Sequence, residues 1–324
     1  MLAAVKPPPP KRPPALRSGM MVRLVCPASG PRRDADVRRA VEQVRELGFR
    51  TSLGAVAARP AGGEPAGPEE RRRELEEAFR DPEVDAVWAL RGGYGCLALL
   101  PLLDREVFQA HPKVLLGYSD LSLLHFVLSG DGGLVTFHAP MPAEEIPAEA
   151  RRHLLRLVSE PTPAGRLPRP ADPSCPERSE RSVPLAGGRA EGRLMVGNLT
   201  LLTRLLGTPF EPDFSARILC IEDVNEAPYR VHGLLMQLLL AGRLQRVAGI
   251  GLGAFRAAEC APEDFLPVFE ELLVPLGVPV LHGLPLGHLP SQATLPCGVR
   301  AALDAEAGTL EILDPAVDSG SSPR

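Results

Sequence analysis

Ser119 is the residue of this chain whose setting most clearly suggests chemistry. It lies in the tetrapeptide Gly-Tyr-Ser-Asp at positions 117–120, between an apolar run at 114–116 and a second apolar run at 121–128. A strand, a tight turn and a helix in this order form a nucleophile elbow, which holds a serine hydroxyl clear of the sheet at a helix N-terminus. The positive end of the helix dipole stabilises negative charge that develops there. The pattern predicts a serine hydrolase, although a serine at such a turn can also be an ordinary helix cap.

A serine nucleophile needs a base to remove its proton, and histidine is the usual one. The candidate is His288, which lies in a loop rich in glycine and proline at 283–298. Its strongest competitor is His138, at a predicted strand-to-loop junction. A lone loop histidine is often only a surface residue, so the residues alone leave this choice open.

Acidic residues follow the apolar run at 218–221. Glu222 and Asp223 come directly after it, and Glu226 follows one helical turn later. Carboxylates at a strand end can orient a histidine, bind a cation, or simply cap the next helix. Because the seven histidines are dispersed, we expect no metal site and no cofactor.

A glycine-rich turn, Arg-Gly-Gly-Tyr-Gly at 91–95, follows another predicted strand. Backbone N–H groups without side chains around them are what an oxyanion hole requires. The spacing matches neither the dinucleotide-binding fingerprint nor the phosphate-binding P-loop. Arg91 in this turn and Arg230 after the acidic cluster are cations suited to bidentate binding of a carboxylate. For both arginines, an ordinary surface salt bridge is an equally good interpretation.

The elements that would position these residues alternate between strands and helices. Such alternation predicts a parallel sheet with helices on both faces. In the first half we expect strands at 20–26, 84–90 and 114–116, with helices at 36–47 and 69–80. In the second half we expect strands at 218–221, 247–252 and 278–281, with helices at 199–206, 229–241 and 262–273.

Shifts in composition divide the chain into segments. The stretch 159–188 is rich in Pro, Arg, Ser and Glu, and is the best candidate for a linker. It separates an N-terminal domain that carries the serine from a C-terminal domain that carries the acids and His288. The basic, proline-rich start lacks an apolar core segment and predicts a disordered leader, not a signal peptide. The resulting segments are 1–18 (leader), 19–158, 159–188 (linker), 189–315 and 316–324 (tail).

The bulk composition excludes several classes of function. The chain has 324 residues, of which 44% are hydrophobic and 23% charged, as in soluble globular proteins. A net charge of -4 gives no electrostatic surface for nucleic acid. No apolar run reaches the length of about 18 residues that a membrane span needs. The six cysteines contain no C-x-x-C pair and are expected to be free thiols in a cytoplasmic protein.

Taken together and in this order, these segments resemble the LD-carboxypeptidase family, which includes the microcin C immunity peptidases. The resemblance runs from about residue 20 to 313. It rests on motifs that are each weak but jointly specific: Pro27-Ala28-Ser29, the turns at 91–95 and 117–120, His138-Ala139-Pro140, Gly197-Asn198, Glu222-Asp223 with Glu226, Pro228-Tyr229-Arg230, and Gly287-His288. The chain has Ala139 where the family more often has glycine.

The resemblance implies a Ser-Glu-His triad that is divided between two domains. Ser119 would be the nucleophile, His288 the general base and Glu222 the orienting carboxylate, with Glu226 as the alternative to Glu222. The remaining family feature is an oxyanion hole, which the match assigns to the N–H groups of Gly93 and Asp120.

The resemblance also implies a fold, a substrate and an assembly. The fold is an N-terminal flavodoxin-like parallel sheet joined to a smaller C-terminal α/β domain of barrel-like form, and the family tends towards homodimers. The substrate is the murein tetrapeptide of cell-wall recycling, cleaved at an L,D-peptide bond to release D-alanine.

Two alternatives stay open. An immunity-type peptidase that cleaves a peptide-nucleotide antibiotic would be favoured by an aromatic residue for stacking on a base, but the single tryptophan, Trp88, lies within a predicted strand. A non-catalytic small-molecule-binding protein of similar architecture would need no activated serine.

Overall fold

Two β-sheets organise the chain, one of six strands and one of eight. The computed structural model describes residues 8–130, 133–168 and 182–320. Its strands are β1 (Met21–Val25), β2 (Arg50–Leu53), β3 (Ala86–Ala89), β4 (Val114–Gly117), β5 (Thr136–His138), β6 (Gly165–Arg166), β7 (Val183–Ala186), β8 (Arg189–Asn198), β9 (Arg217–Val224), β10 (Gly249–Arg256), β11 (Val280–His282), β12 (Leu295–Cys297), β13 (Arg300–Asp304) and β14 (Thr309–Ile312). Its α-helices are α1 (Asp34–Glu46), α2 (Pro68–Arg80), α3 (Arg105–Ala110), α4 (Ser122–Leu128), α5 (Ala148–Ser159), α6 (Leu199–Thr203), α7 (Pro228–Leu240) and α8 (Leu266–Leu273).

The first sheet has the order β12-β5-β4-β3-β1-β2. Strands β2, β1, β3, β4 and β5 are parallel, and their order is that of flavodoxin-like folds. Strands β3 and β4 are buried along their whole length, as expected for a parallel sheet covered on both faces. The predicted α/β fold with a flavodoxin-like sheet is confirmed.

The second sheet has the order β6-β14-β13-β8-β9-β10-β11-β7. Strands β8 to β11 are parallel, and the others join them antiparallel. Among the described strands, β6 and β7 form its two edges. Strand β9 is buried from Arg217 to Asp223, which places carboxylates at its end inside the protein.

Helix α4 joins the two sheets at the functional edge. Gly197 of β8 lets this helix approach closely, because a Cβ atom there would lie 2.7 Å from Cβ of Ser122 and 2.6 Å from the ring of Phe126. Asn198, the next residue, is paired with Glu222 of β9. Since α4 follows the turn at 117–120, this contact brings Ser119 towards the end of β9.

Helix α2 shows how the sequence pattern and the structure differ in detail. Leu75, Ala78 and Phe79 form its buried inner face, as expected for an amphipathic helix. Arg71 and Glu74 are also buried, although their helix is highly charged. The Glu74 carboxylate accepts hydrogen bonds from the N–H groups of residues 26, 56 and 57, at 2.7 to 3.0 Å.

The prediction of a disordered leader at 1–18 is wrong for the residues that the structure describes. The N–H group of Lys11 donates to the Gly133 carbonyl at 2.7 Å, and that of Leu16 donates to the Val158 carbonyl at 2.8 Å. Ala15 and Leu16 are buried. A short extended segment that buries apolar side chains can be ordered without regular secondary structure.

The expected linker and tail also contribute to the fold. Strands β6 and β7 both lie within 159–188 and pair with β14 and β11, respectively. In the tail, Val317 is buried and the N–H group of Asp318 donates to the Pro13 carbonyl. Residues 169–181 and 321–324 lie outside the described residues. Within the part that is described, no helix is long and apolar enough to cross a bilayer.

Strand β12 departs from the expected division into domains. It belongs to the C-terminal half of the sequence but pairs antiparallel with β5, so that Leu295 lies opposite His138. The loop that carries His288 directly precedes this strand. The loop is therefore anchored to the first sheet at its end and to the second sheet at its start, where β11 lies.

Candidate active site

Ser119 occupies a backbone conformation that few non-glycine residues adopt. Its φ angle is +62°, in the left-handed region, at the corner between β4 and the helical turn that leads into α4. Such a conformation costs about 1–3 kcal/mol and persists where the surroundings enforce it. Gly92 packs against it, since a Cβ atom on Gly92 would lie 2.8 Å from Cβ of Ser119. The strained corner is the geometry of a nucleophile elbow.

A chain of hydrogen bonds joins Ser119, His288 and Glu222. Nε2 of His288 lies 3.3 Å from Oγ of Ser119, and Nδ1 of His288 lies 2.7 Å from Oε2 of Glu222. Because an ionised carboxylate can only accept, Nδ1 carries the proton that it donates to Glu222. Nε2 is then free to accept the proton of the serine hydroxyl. The three residues have the arrangement of nucleophile, base and orienting acid.

Glu222 is fully buried and is held by Asn198. Nδ2 of Asn198 donates to Oε1 of Glu222 at 3.3 Å and to Oδ1 of Asp223 at 2.9 Å. The N–H group of Asn198 donates to Oγ of Ser122 in α4 at 3.0 Å. Asn198 thus connects the acid to the helix that follows Ser119.

The local environment sets the protonation of His288. Burial would lower its pKa, but the hydrogen bond and the charge of Glu222 outweigh burial and raise the pKa above its ordinary value of 6.5. The charges of Glu144 and Asp223 act in the same direction. The imidazolium form is therefore stabilised, which suits a base that must hold a proton during a reaction.

The loop around His288 is fixed from several sides. Gly287 has a φ angle of +98°, and a Cβ atom there would lie 2.6 Å from the Glu222 side chain. Nη1 of Arg256, at the end of β10, donates to the His288 carbonyl at 3.0 Å. The ring of Tyr118 lies 4.9 Å from the imidazole of His288, measured between centroids.

The glycine turn and the elbow contact each other. Oδ2 of Asp120 accepts a hydrogen bond from the N–H group of Cys96 at 2.7 Å. Gly93 has a φ angle of +118° and lies against Ser29 and Arg91. Within the described part of the chain, the N–H group of Gly93 donates to no backbone carbonyl.

The two predicted carboxylate-binding arginines differ in their surroundings. Arg91 is half-buried, donates to the Gly30 carbonyl at 3.1 Å, and places Nη2 beside Gly93. Burial lowers its pKa, as does the nearby charge of Arg32. Arg230 is exposed, lies 3.8 Å from Glu226 and stacks on the exposed ring of Tyr229.

The competing candidates do not reach Ser119. His138 is fully buried, and neither of its ring nitrogens has a hydrogen-bond partner among the described residues. Burial lowers its pKa well below the ordinary value. Glu226 pairs with Arg230, whereas His288 donates its hydrogen bond to Glu222. No group of metal-binding side chains occurs in the described residues.

Sequence reasoning missed several residues that shape the site. Asn198 had a signal, because it lies in a quoted family motif, but its contact with Glu222 depends on the register of β8 and β9. Tyr118 and Ser122 lay beside the elbow and were assigned no function. Arg71 carried no signal, since an arginine in a highly charged helix is ordinarily exposed.

Comparisons with known proteins agree with this architecture. Residues 22–139 match the N-terminal domain of the LD-carboxypeptidase family, and residues 191–303 match its C-terminal domain. A probable murein peptide carboxypeptidase of Bacillus subtilis is 34% identical, with 96% of each chain covered. A murein tetrapeptide carboxypeptidase of Pseudomonas aeruginosa is 35% identical over 73% of this chain and 78% of its own.

A solved structure shows the same fold. The crystal structure of an MccF-like protein from Bacillus anthracis superposes with a TM-score of 0.83 at 27% identity, covering 93% of this chain and 99% of the other. Both family domains match, and the similarity to the Bacillus subtilis protein extends over almost the whole length of both chains. The chain belongs to the LD-carboxypeptidase family.

Proposed function

We propose that this protein is a serine carboxypeptidase that hydrolyses the L,D-peptide bond before the terminal D-alanine of murein tetrapeptides. The observation that carries the proposal is the hydrogen-bonded series Ser119, His288 and Glu222 at a strained strand-to-helix corner. The names of the two relatives that are 34% and 35% identical support the choice of substrate.

The reaction begins with attack by Ser119. Nε2 of His288 takes the proton of the hydroxyl as Oγ bonds to the carbonyl carbon of the scissile peptide. Collapse of the tetrahedral intermediate breaks the C–N bond, and His288 returns the proton to the leaving amine of D-alanine. Water then repeats the sequence on the acyl-enzyme, releases the tripeptide carboxylate and regenerates Ser119.

Glu222 acts on His288 and not on the substrate. Its carboxylate fixes the tautomer in which Nε2 can accept a proton, and it stabilises the imidazolium that forms. The raised pKa of His288 supports this assignment, because Glu222 is the main stabilising influence on the protonated form. Glu226 contributes no comparable contact.

The N–H groups of Gly93 and Asp120 are our candidates for the oxyanion hole. Gly93 belongs to the turn that packs on Ser119 through Gly92, and Asp120 follows Ser119 in the chain. The loss of one such donor typically lowers kcat by about 10²–10³-fold.

Arg91 is our first candidate for binding the terminal carboxylate of the substrate. Its guanidinium lies beside Gly93, and its partial burial limits competition from water. Arg230 is the second candidate, but Glu226 and Tyr229 already engage it. We expect R91A to raise KM about tenfold or more, because a charge-assisted hydrogen bond contributes about 1.5–3 kcal/mol. R230A should change KM by less than R91A, and the reverse ranking would exchange the two assignments.

The substrate class is tested by identifying the cleavage products of a panel of peptides with mass spectrometry, which detects cleavage whatever the leaving group. We expect turnover of a murein tetrapeptide, no turnover of the same peptide with a terminal L-alanine, and none with an amidated C-terminus. A peptide-nucleotide amide serves as the competing substrate, because the MccF immunity protein of Escherichia coli is 27% identical. Faster cleavage of that amide would reject the murein assignment while leaving the triad in place.

The cytoplasmic location expected from the sequence and the homodimer expected from the family resemblance stay predictions. Size-exclusion chromatography with light scattering measures the oligomeric state directly.

A further inference from the structure

Arg71 of helix α2 is a buried arginine that no acid neutralises directly. The residue is 7% exposed, and among the described residues no carboxylate forms an ion pair with it. Burying an unpaired charge is costly, so the surroundings must supply hydrogen bonds. Nη1 donates to the carbonyls of Pro27 and Ala28 at 2.7 and 2.9 Å. Nε has no partner among the described residues.

The guanidinium also lies against the glycine turn. Gly95 packs directly on Nη1 of Arg71, and any side chain at this position would collide with it. Gly95 has a φ angle of +125°, so both its conformation and its contact with Arg71 require glycine. Nη1 of Arg71 therefore donates to the loop after β1, and the same nitrogen also packs against the turn after β3.

Ser29 extends this contact to the proposed oxyanion hole. It follows Ala28, and its Oγ accepts a hydrogen bond from the N–H group of Tyr94 at 3.1 Å. The Ser29 hydroxyl also packs against Gly93. The turn at 91–95 is thus held between Ser29 on one side and Arg71 on the other.

Asp120 connects the same turn to the elbow. Its carboxylate accepts the N–H group of Cys96, the residue after Gly95, at 2.7 Å. Burial raises the pKa of Asp120. The nearby positive charge of Arg71 acts in the opposite direction, although burial outweighs it. The three loops that follow β1, β3 and β4 are therefore tied together around a single buried cation.

We propose that Arg71 is a positioning residue, which holds these loops so that the N–H groups of Gly93 and Asp120 point at the substrate oxyanion formed when Ser119 attacks. The inference rests on the proposed function and deepens it. Arg71 does not touch the substrate. It acts through Ser29 and Gly95 on the turn, and its charge adds a favourable field for the developing negative charge.

The test compares R71K and S29A with the control R73K. Arg73 lies on the same helix but is exposed, so R73K repeats the substitution outside the buried contact. We expect kcat for D-alanine release to fall about 100-fold in R71K, the lower end of the loss for a removed oxyanion-hole donor. In S29A, which keeps Arg71 in place, we expect a smaller fall of about tenfold, because the hole is displaced but no donor is removed. KM should change less than twofold, the acid limb of the pH profile should not move, and R73K should match the wild type.

A fluorophosphonate provides a measurement that does not depend on the natural substrate. Its phosphoryl oxygen must enter the same hole, so the inactivation rate constant should fall in R71K and S29A in parallel with kcat. Wild-type rates in folded R71K and S29A would overturn the proposal, as would a loss confined to KM or a shifted pH limb. If R71K does not fold, S29A alone decides. If the wild type reacts with the fluorophosphonate but not with the tetrapeptide, the proposed substrate fails while Arg71 is still tested.

Discussion

Gly287 packs against the side chain of Glu222, so that a Cβ atom on Gly287 would lie 2.6 Å from Cβ, Cγ and Oε2 of the glutamate. Glu222 lies near the end of β9, whereas Gly287 lies in the loop between β11 and β12, 65 positions later in the chain. Gly287 precedes the proposed base and Glu222 is its hydrogen-bond partner. The absence of a side chain at 287 is what allows His288 and Glu222 to meet.

The substitution G287A is therefore expected to separate the base from its acid. The new methyl group must displace Glu222, and the φ angle of +98° adds strain. We expect kcat/KM for D-alanine release to fall about 100-fold, within the range of losses that follow a small misplacement of catalytic groups. The control is G277A, at a φ angle of +70° with open space around it, which tests the strain alone. Equal losses in both variants would contradict the steric explanation.

The acid limb of the pH profile reports the pKa of His288. Only the neutral imidazole can accept the serine proton, so kcat/KM should rise with pH through the pKa of the free enzyme. Since Glu222 raises this pKa above 6.5, the limb should lie above pH 6.5 in the wild type. In E222Q the charge is lost, so the limb should shift to lower pH while the maximal rate falls.

E226Q serves as the control for that shift, because Glu226 does not contact His288. Its limb should coincide with that of the wild type. A shift in E226Q with none in E222Q would transfer the orienting role to Glu226.

Asn198 is expected to affect activity through Glu222. The variant N198A removes a donor from both Glu222 and Asp223. Asp223 keeps its bonds from Thr200 and Val224, but the buried Oε1 of Glu222 loses its donor, at a cost of about 1–3 kcal/mol. We expect a lower Tm together with a drop of about tenfold in kcat at unchanged KM, since one hydrogen bond is worth about one power of ten. In T200V the Asp223 contact at 2.8 Å is lost but Glu222 keeps its donor. Urea unfolding and steady-state kinetics should show a stability loss in both variants and a rate loss in N198A alone.

Acid should destabilise the fold through two buried histidines. Burial lowers the pKa of His125 and of His153 to about 4, from 6.5 in the unfolded chain. Between these values the unfolded state binds more protons, so stability falls as pH decreases from 6.5 towards 4. By pH 5 each histidine should have lowered the free energy of unfolding by about 2 kcal/mol, because one pKa unit corresponds to about 1.36 kcal/mol.

His153 offers a direct check of that pH dependence. Its Nε2 donates to the Thr294 carbonyl at 2.9 Å, and a glutamine amide can donate in the same way. Between pH 7 and pH 5, the free energy of unfolding measured in urea should therefore fall by about 2 kcal/mol less in H153Q than in the wild type. H111Q, at an exposed histidine, is the control. Identical pH dependence in H153Q and the wild type would contradict the prediction.

The sequence alone predicts much of the first sheet and the residues at its functional edge. Long apolar or amphipathic runs, such as those at 34–46 and 228–240, correspond to helices within one or two residues. Ser119 could be selected from its strand-to-helix turn, whereas the choice of Glu222 and His288 over Glu226 and His138 came from the family resemblance. The meeting of Ser119, Glu222 and His288 depends on how two sheets pack, which local patterns do not encode.

The short C-terminal strands were not predicted. Strands β12, β13 and β14 have three to five residues, and β12 and β13 pair with β5 and β8, which lie far away in sequence. The burial of Arg71 was missed for a related reason. Its hydrogen bonds go to backbone carbonyls of a distant loop, which leaves no trace in the spacing of side chains.

The identity of Ser119 as the nucleophile is tested most directly by mass spectrometry after fluorophosphonate treatment. We predict a single phosphonyl adduct on the peptide that contains Ser119, formed rapidly by the wild type, slowly by H288A and not at all by S119A. S119A must retain the wild-type Tm for the comparison to count. An adduct on another residue, or labelling of folded S119A at the wild-type rate, would contradict the account.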